Sequence, residues 1–315
     1  MASHTTPQAP KRKLAAFTTF SEQGYETYGR KMLEAFDRHW PADIPLRVYY
    51  EGSEPEIQSS RIEYVDLHAS SPGLVDFKKR HSGNAAAHGQ DDRGPLPFSA
   101  RGMLGNLVAL VEPLLGKDRQ AGRALESSRK RRGIGYRWDA VRFAHKTYCI
   151  FDATESLPAD AVFWIDADTL TFLDIPRAFI ESTLPPEAML SFIGRRYRTS
   201  ECGYVGYNLQ HPRIRDFLAI WRELYDSDSL FELDEWHDSW VFDWVRGQFK
   251  KDDILTHNLS GSLGWRSVHH PFVNGPLGAY MDHMKGERKQ YGRSLASDLM
   301  TQRDESYWQS PKDEA

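Results

Sequence analysis

The chain has 315 residues, 40% hydrophobic and 27% charged, with a net charge of −4. That is enough to bury about three quarters of the unfolded surface, in one large domain or two intimate ones, and it gives no global sign of a nucleic-acid binder. The two cysteines, Cys149 and Cys202, lie in or beside apolar segments, which excludes a disulfide framework or a cysteine metal site and points to a reducing cytoplasm.

Residues 1–12, rich in Pro, Thr, Ser and Lys, read as a disordered tail. The run after Lys11-Arg12-Lys13 is too short and polar for a secretion signal, and no apolar run nears the roughly 20 residues of a membrane helix. A first strand is predicted over Leu14–Phe20 and a turn over Ser21–Gly24. A helix follows over Tyr25–His39, with Tyr28, Met32, Phe36 and Trp40 along one face, ended by Pro41 and Pro45. Leu46–Tyr50 and Arg61–Leu67 are further strands, so the first half alternates strand and helix like a nucleotide-binding α/β layer.

From Ser70 to about Gly135 the chain is rich in Gly, Ser, His and Arg and reads as an insertion, with a helix at Gly102–Leu115 interrupted by Pro113. Between Lys117 and Lys146 ten Lys or Arg face three acids, a stretch that is either a solvated loop or a surface for polyanions, through counterion release. Tyr136–Phe151 is predicted as a helix with Val141, Ala144, Tyr148 and Phe151 inward and Arg142, His145 and Lys146 one turn apart. A strand over Ala188–Ile193, the segment Gly203–Asn208 and helices over Pro212–Tyr225 and Trp236–Phe249 follow. Trp236, Trp240 and Trp244 repeat every four residues along the last helix, and residues 299–315 read as a polar tail.

The most informative segment is 161–176, an apolar run that stops at Asp166 and Asp168. Such a run fits a buried central strand of a mostly parallel sheet, and ligands bind at the carboxyl ends of such strands. Residues two apart on an extended chain point the same way, so both carboxylates can approach one hard cation, Mn²⁺ or Mg²⁺, of the kind that shares its ligands with substrate phosphates. The bland alternative is a turn former or helix cap.

The order of a first strand, Asp166-Ala-Asp168, Glu201-Cys-Gly-Tyr-Val-Gly-Tyr-Asn208, Glu235-Trp-His-Asp-Ser239 and His283-Met-Lys-Gly286 resembles the metal-dependent GT-A glycosyltransferases, over about residues 14–294. The resemblance implies a twisted mixed α/β sheet flanked by helices, a catalytic domain over residues 13–298 carrying the 70–135 insertion. It also implies transfer of a sugar from a nucleoside diphosphate donor, a UDP-sugar first among them, with Mn²⁺ or Mg²⁺. Asp166, Asp168 and His283 take the metal-ligand positions. Ala167, Lys285 and Gly286 fall beside the donor diphosphate, with Arg142 and Lys146 neutralising its phosphates. Thr18, Thr19, Phe20 and Tyr28 are placed at the nucleoside, and Asn208, Trp236 and His237 at the acceptor. Asp238 is either the base or anchor for an acceptor hydroxyl, or a helix cap. The layout is closer to retaining enzymes, although Trp-His-Asp-Ser stands where Asp-Gln-Asp is common there.

The acceptor is a glycan, a glycolipid precursor or, through the basic stretch, a DNA base. A nucleotidyltransferase of similar fold is the nearest rival, but Ser21-Glu-Gln-Gly24 lacks the Gly-rich, Lys-bearing loop it needs. A non-catalytic polyanion-binding module is the other alternative, and it would bind without metal.

Overall fold

The computed structural model describes residues 11–90, 135–249 and 254–309. Its centre is a seven-stranded mixed sheet in the order β3-β2-β1-β4-β7-β6-β8. Strands β1 (Leu14–Ser21), β2 (Leu46–Glu51), β3 (Ile62–Asp66) and β4 (Ala161–Ile165) run parallel. β7 (Glu201–Asn208) is antiparallel to both β4 and β6 (Leu190–Ile193), and β8 (Thr256–Asn258) is parallel to β6. A second sheet of two strands pairs β5 (Thr169–Thr171) with β9 (Met281–His283), antiparallel. The expected mixed α/β sheet flanked by helices is therefore what the chain forms.

Every residue of β4 and of β7 is buried, as a strand covered on both faces requires. Their side chains divide with period two between two cores. Phe17, Val162 and Trp164 face a layer built on α2 (Pro72–Arg80), α3 (Ala140–Ser156), α5 (Ile214–Asp226) and α6 (Asp238–Gly247). Leu14, Ala16, Ala161, Phe163 and Ile165 face the opposite layer, with α1 (Arg30–His39) and α4 (Arg177–Thr183). Asp139 caps α3 by accepting from the Arg142 amide.

Several predicted elements shift. The helix after β1 begins at Glu22, where Ser21 Oγ accepts from the Gly24 amide, and passes through a π-turn at Tyr25–Gly29 before α1. Ser21–Gly24 is thus the helix start rather than a turn, and Trp40 sits beyond the helix with extended backbone, stacked on Phe36. The described part of the 70–135 insertion opens with a helix that the sequence reading did not include. Pro72 opens α2, whose Leu74 and Phe77 are fully buried in the first core. The predicted Gly102–Leu115 helix and most of the basic stretch lie outside the described residues, as does the N-terminal tail up to residue 10.

The segment read as a polar tail is instead tied to the body as far as it is described. Tyr307 donates to Asp282, Trp308 packs into the second core, and its indole N–H reaches the Gly278 carbonyl. Cys149 and Cys202 are buried and free. Among the described residues no helix is long and apolar enough to cross a membrane.

Candidate active site

The parallel strand β4 delivers Asp166 to its carboxyl end. The turn there is closed by the Asp166 amide donating to Gly203 and the Thr169 amide donating to Asp166. Asp168 follows, its carbonyl accepting from the Met284 amide, and the chain then enters β5. Since β5 pairs with β9 in a register that sets Thr169 opposite His283, the late histidine lands beside both aspartates. Its Nε2 lies 3.1 Å from Asp168 Oδ1 and 3.4 Å from Asp166 Oδ2.

Gly203 on β7 makes room for this. A Cβ there would fall on the His283 ring, so only glycine lets the imidazole lie against the strand. Gly286, at φ +58°, turns the chain after Lys285 in the left-handed region that glycine adopts freely.

Around these three groups runs a chain of buried ion pairs. Glu201, 1% exposed, accepts from His283 Nδ1 at 3.0 Å and from Lys285 Nζ at 2.6 Å. Lys146, buried, donates to Asp166 at 2.9 Å, to Asp238 at 2.7 Å and to the Cys202 carbonyl at 2.6 Å. Lys289 reaches Asp168 at 2.9 Å and sits 4.7 Å over the ring of Tyr28. Beyond Asp238, His237 Nδ1 lies 3.8 Å away, while His237 Nε2 bonds Glu235, which pairs with Arg137.

Burial opposes every charge in this network, and the partners decide the outcome. Burial raises the Asp168 and Asp166 pKa values, but His283 and Lys289 at the first, and Lys146 and His283 at the second, hold both below the ordinary carboxylate range. Burial lowers that of His283, but Asp168, Asp166 and Glu201 raise it well above the usual imidazole value. Lys146 likewise loses to burial and gains more from Asp166 and Asp238, which keeps it charged.

Two carboxylates and an imidazole whose ligand atoms lie within 4.8 Å of one another fit a divalent cation. Ligands about 2.1 Å from a six-coordinate ion stand about 3 Å apart at adjacent positions, close to the 3.1 and 3.4 Å separations here. The imidazole shifts the preference from Mg²⁺ toward Mn²⁺ and other borderline metals.

The structure brings together Asp166, Ala167, Asp168, His283, Lys285 and Gly286, with Tyr28 at the edge beside Lys289. Lys146 is present but committed to two carboxylates, so it does not offer a free charge to a phosphate. Arg142 is exposed on α3, one turn before Lys146. Asp238 is not a helix cap, because His237 holds the cap position and Asp238 is the first helical residue. Burial raises the Asp238 carboxyl pKa, but Lys146 and His237 hold it below the ordinary carboxylate range.

Two expected acceptor contacts, Asn208 and Trp236, fall elsewhere. Asn208 is at the far end of antiparallel β7, paired with Ala161 at the start of β4, and its amide donates to the Pro186 and Ala188 carbonyls. Trp236 precedes α6 rather than lying on it. It is 1% exposed and edge-on to Phe231 inside the core, leaving no face for a sugar. Thr18, Thr19 and Phe20 lie at the carboxyl end of β1, alongside the end of β4, where Thr19 donates to the Tyr49 carbonyl, Phe20 packs on Tyr25 and Thr18 is wholly buried. Sequence reasoning passed over Glu201 as a partner of His283, although an acid at the start of an apolar, glycine-containing strand is a signal for a buried ion pair.

No protein-family model matches the sequence, and no curated protein matches it. Among solved structures the chain is similar to mouse xyloside xylosyltransferase 1 in its apo form, with 11% identity and a TM-score of 0.40 over 78% of this chain and 85% of that one. It is also similar to the apo form of the glycosyltransferase GlyE of Streptococcus pneumoniae TIGR4 (9%, 0.38, 83% and 50%) and to apo WbbM, a bifunctional glycosyltransferase (10%, 0.35, 81% and 40%). The chain spans half or less of those last two proteins. Likenesses this distant carry no weight for activity, for which the geometry of the site must serve.

Proposed function

We propose that the chain is a metal-dependent glycosyltransferase of GT-A type that moves a sugar from a nucleoside diphosphate donor, a UDP-sugar first among them, to an acceptor hydroxyl. The observation that carries this is the convergence of Asp166, Asp168 and His283, from a strand end and a late strand more than a hundred residues apart, at the carboxyl ends of the parallel strands of the mixed sheet. When bound there, Mn²⁺ or Mg²⁺ supplies Lewis-acid stabilisation of the leaving diphosphate.

The residues of the chain divide the remaining work. Four carboxylates, Asp166, Asp168, Glu201 and Asp238, face three lysines, Lys146, Lys285 and Lys289, which leaves one negative charge for a protonated His283 to balance. Exchanging the proton on His283 Nε2 for a divalent ion turns the same cluster net positive, which favours a diphosphate. Glu201 holds the imidazole by Nδ1 and leaves Nε2 to face the aspartates. Lys285 and Lys289 border the same ligands as point charges for phosphate oxygens. Lys146 fixes Asp166 and Asp238 relative to each other, so Asp238 serves as an anchor near the sugar rather than as a base. That division suits a retaining outcome, in which no side chain needs to take the acceptor proton at the outset.

A panel of UDP- and GDP-sugars incubated with the protein and Mn²⁺, followed for release of the nucleoside diphosphate, tests the reading. Turnover of at least one donor that stops on chelation is expected. Metal-independent turnover, or none across the panel together with no nucleotide binding, overturns it.

A further inference from the structure

A second cluster of histidines and a carboxylate lies at the carboxyl ends of β2 and β3, outside the network of Asp166 and Asp168. Glu51 is the last residue of β2. His68 sits in the helical turn Leu67–Ser70 that follows β3, and His145 lies on α3, one residue before Lys146. One ligand atom from each comes within 4.8 Å of the other two.

The spacing is that of groups arranged about a shared centre rather than bonded to each other. His145 Nε2 is 3.6 Å and His68 Nε2 3.8 Å from Glu51 Oε2, both beyond hydrogen-bond length. His145 Nε2 is buried and has no hydrogen-bond partner among the described residues. Ligands about 2.1 Å from a tetrahedral ion stand about 3.4 Å apart, so these separations need only small adjustment to close on one metal. The Lys78 ammonium, 2.9 Å from His68 Nε2 and 3.9 Å from Glu51 Oε2, stands in for the cation the cluster attracts. It is carried on a flexible four-carbon stem from α2 and is one third exposed, so it can leave for solvent.

We propose that Glu51, His68 and His145 form a second metal site, for a borderline divalent ion such as Zn²⁺ or Co²⁺, with the fourth position open to solvent. Two imidazoles and one carboxylate select such ions over Mg²⁺, whereas the two aspartates of the first site accept the harder ones. The site ties together the ends of β2, the turn after β3 and α3, and its occupation stabilises the fold without any contribution from the sugar-transfer site.

The test is calorimetric titration of Zn²⁺ into the full chain and its variants, with the visible absorption of bound Co²⁺ and the melting temperature as independent readouts. In the double variant D166N/D168N one equivalent of Zn²⁺ should still bind, give a four-coordinate Co²⁺ spectrum and raise the melting temperature. Adding His68→Ala or Glu51→Gln should weaken that binding by about tenfold or more, the loss seen even for outer-sphere partners. Lys78→Met should tighten it, because a competing cation is removed. His68 is the most exposed of the three ligands, and metal-free melting checks that each variant is folded. No Zn²⁺ bound by folded D166N/D168N, or binding unchanged by both His68→Ala and Glu51→Gln, overturns the proposal.

Discussion

The two clusters at the carboxyl ends of the strands are both built from carboxylates and imidazoles, two to one in the first and one to two in the second, and they differ also in what surrounds them. Asp166, Asp168 and His283 are enclosed by charge. Lys146, Lys289, Lys285 and Glu201 contact them directly or through one partner, and every carboxylate has a short ionic contact. Glu51, His68 and His145 are half-buried, with one partly exposed lysine beside them and longer spacings to Glu51. A tightly wired site keeps its ligands in place before metal and substrate arrive, at the cost of holding several charges out of water. The looser one can only be ordered by what it binds.

The largest separation between the two is expected from single ligand losses. Asp168→Asn should abolish Mn²⁺-dependent donor turnover in the folded protein, because an amide replaces an anionic ligand at a site whose binding is mostly charge, and should lower the melting temperature as His283 and Lys289 lose their partner. Glu51→Gln should leave turnover within a few-fold of the parent. Rate measurements on the two proteins side by side check this, and equal losses would erase the distinction between the sites.

Next in size is the effect of removing the buried cation. Lys146→Met leaves Asp166 and Asp238 without their shared partner and should cost about 3–5 kcal/mol by denaturant titration, part of it restored by a second change, Asp238→Asn. Lys78→Met, by contrast, should cost next to nothing. A Lys146→Met protein as stable as the parent would mean that the network is not the structural element described here.

Glu201→Gln keeps the shape and removes the charge behind His283. A weakening of Mn²⁺ affinity of about 10- to 100-fold is expected, as for other partners of metal-bound histidines. Unchanged Mn²⁺ affinity would show that His283 is oriented without it.

The smallest effect is a pH dependence. The Asp238 carboxyl is held below the ordinary value, so the unfolded chain binds its proton first. Its stabilisation is complete above about pH 4 and drains away as pH falls through the folded value. The Lys146 pKa is raised, and its share persists up to the ordinary lysine range, being lost only as pH rises through the folded value. From this pair, stability should be level from about pH 5 to 9 and fall below pH 4. Asp238→Asn should flatten the acid limb, which thermal melts in a pH series will show.

Local pattern made much of this legible. The unbroken apolar run Ala161–Ile165 announced a strand buried on both faces, and the aspartates that end it marked the site. The late His283 became readable only through the order of motifs, since nothing near it in sequence tells that β9 pairs with β5. What stayed hidden was long-range. Asn208 looked available, but an antiparallel β7 carries it to the opposite edge of the sheet. Trp236 fitted a helical stripe, yet the helix starts two residues later and the indole fills the core. Lys146 read as a free phosphate ligand because the two acids that claim it come 20 and 92 residues later. The Pro72–Arg80 helix was masked by a Gly- and Ser-rich neighbourhood, although Pro72 at its start and Leu74 and Phe77 on one face were the relevant signals.

The most direct test of the central claim, that Asp166, Asp168 and His283 hold a metal and a nucleoside diphosphate together, is the titration of UDP into the protein with Mn²⁺ and with EDTA, repeated on His283→Ala. The expected result is binding that requires Mn²⁺ in the parent and is weakened in His283→Ala for the diphosphate but not for uridine. UDP binding of equal strength in Mn²⁺ and EDTA, or an equal loss for UDP and uridine in His283→Ala, would contradict it.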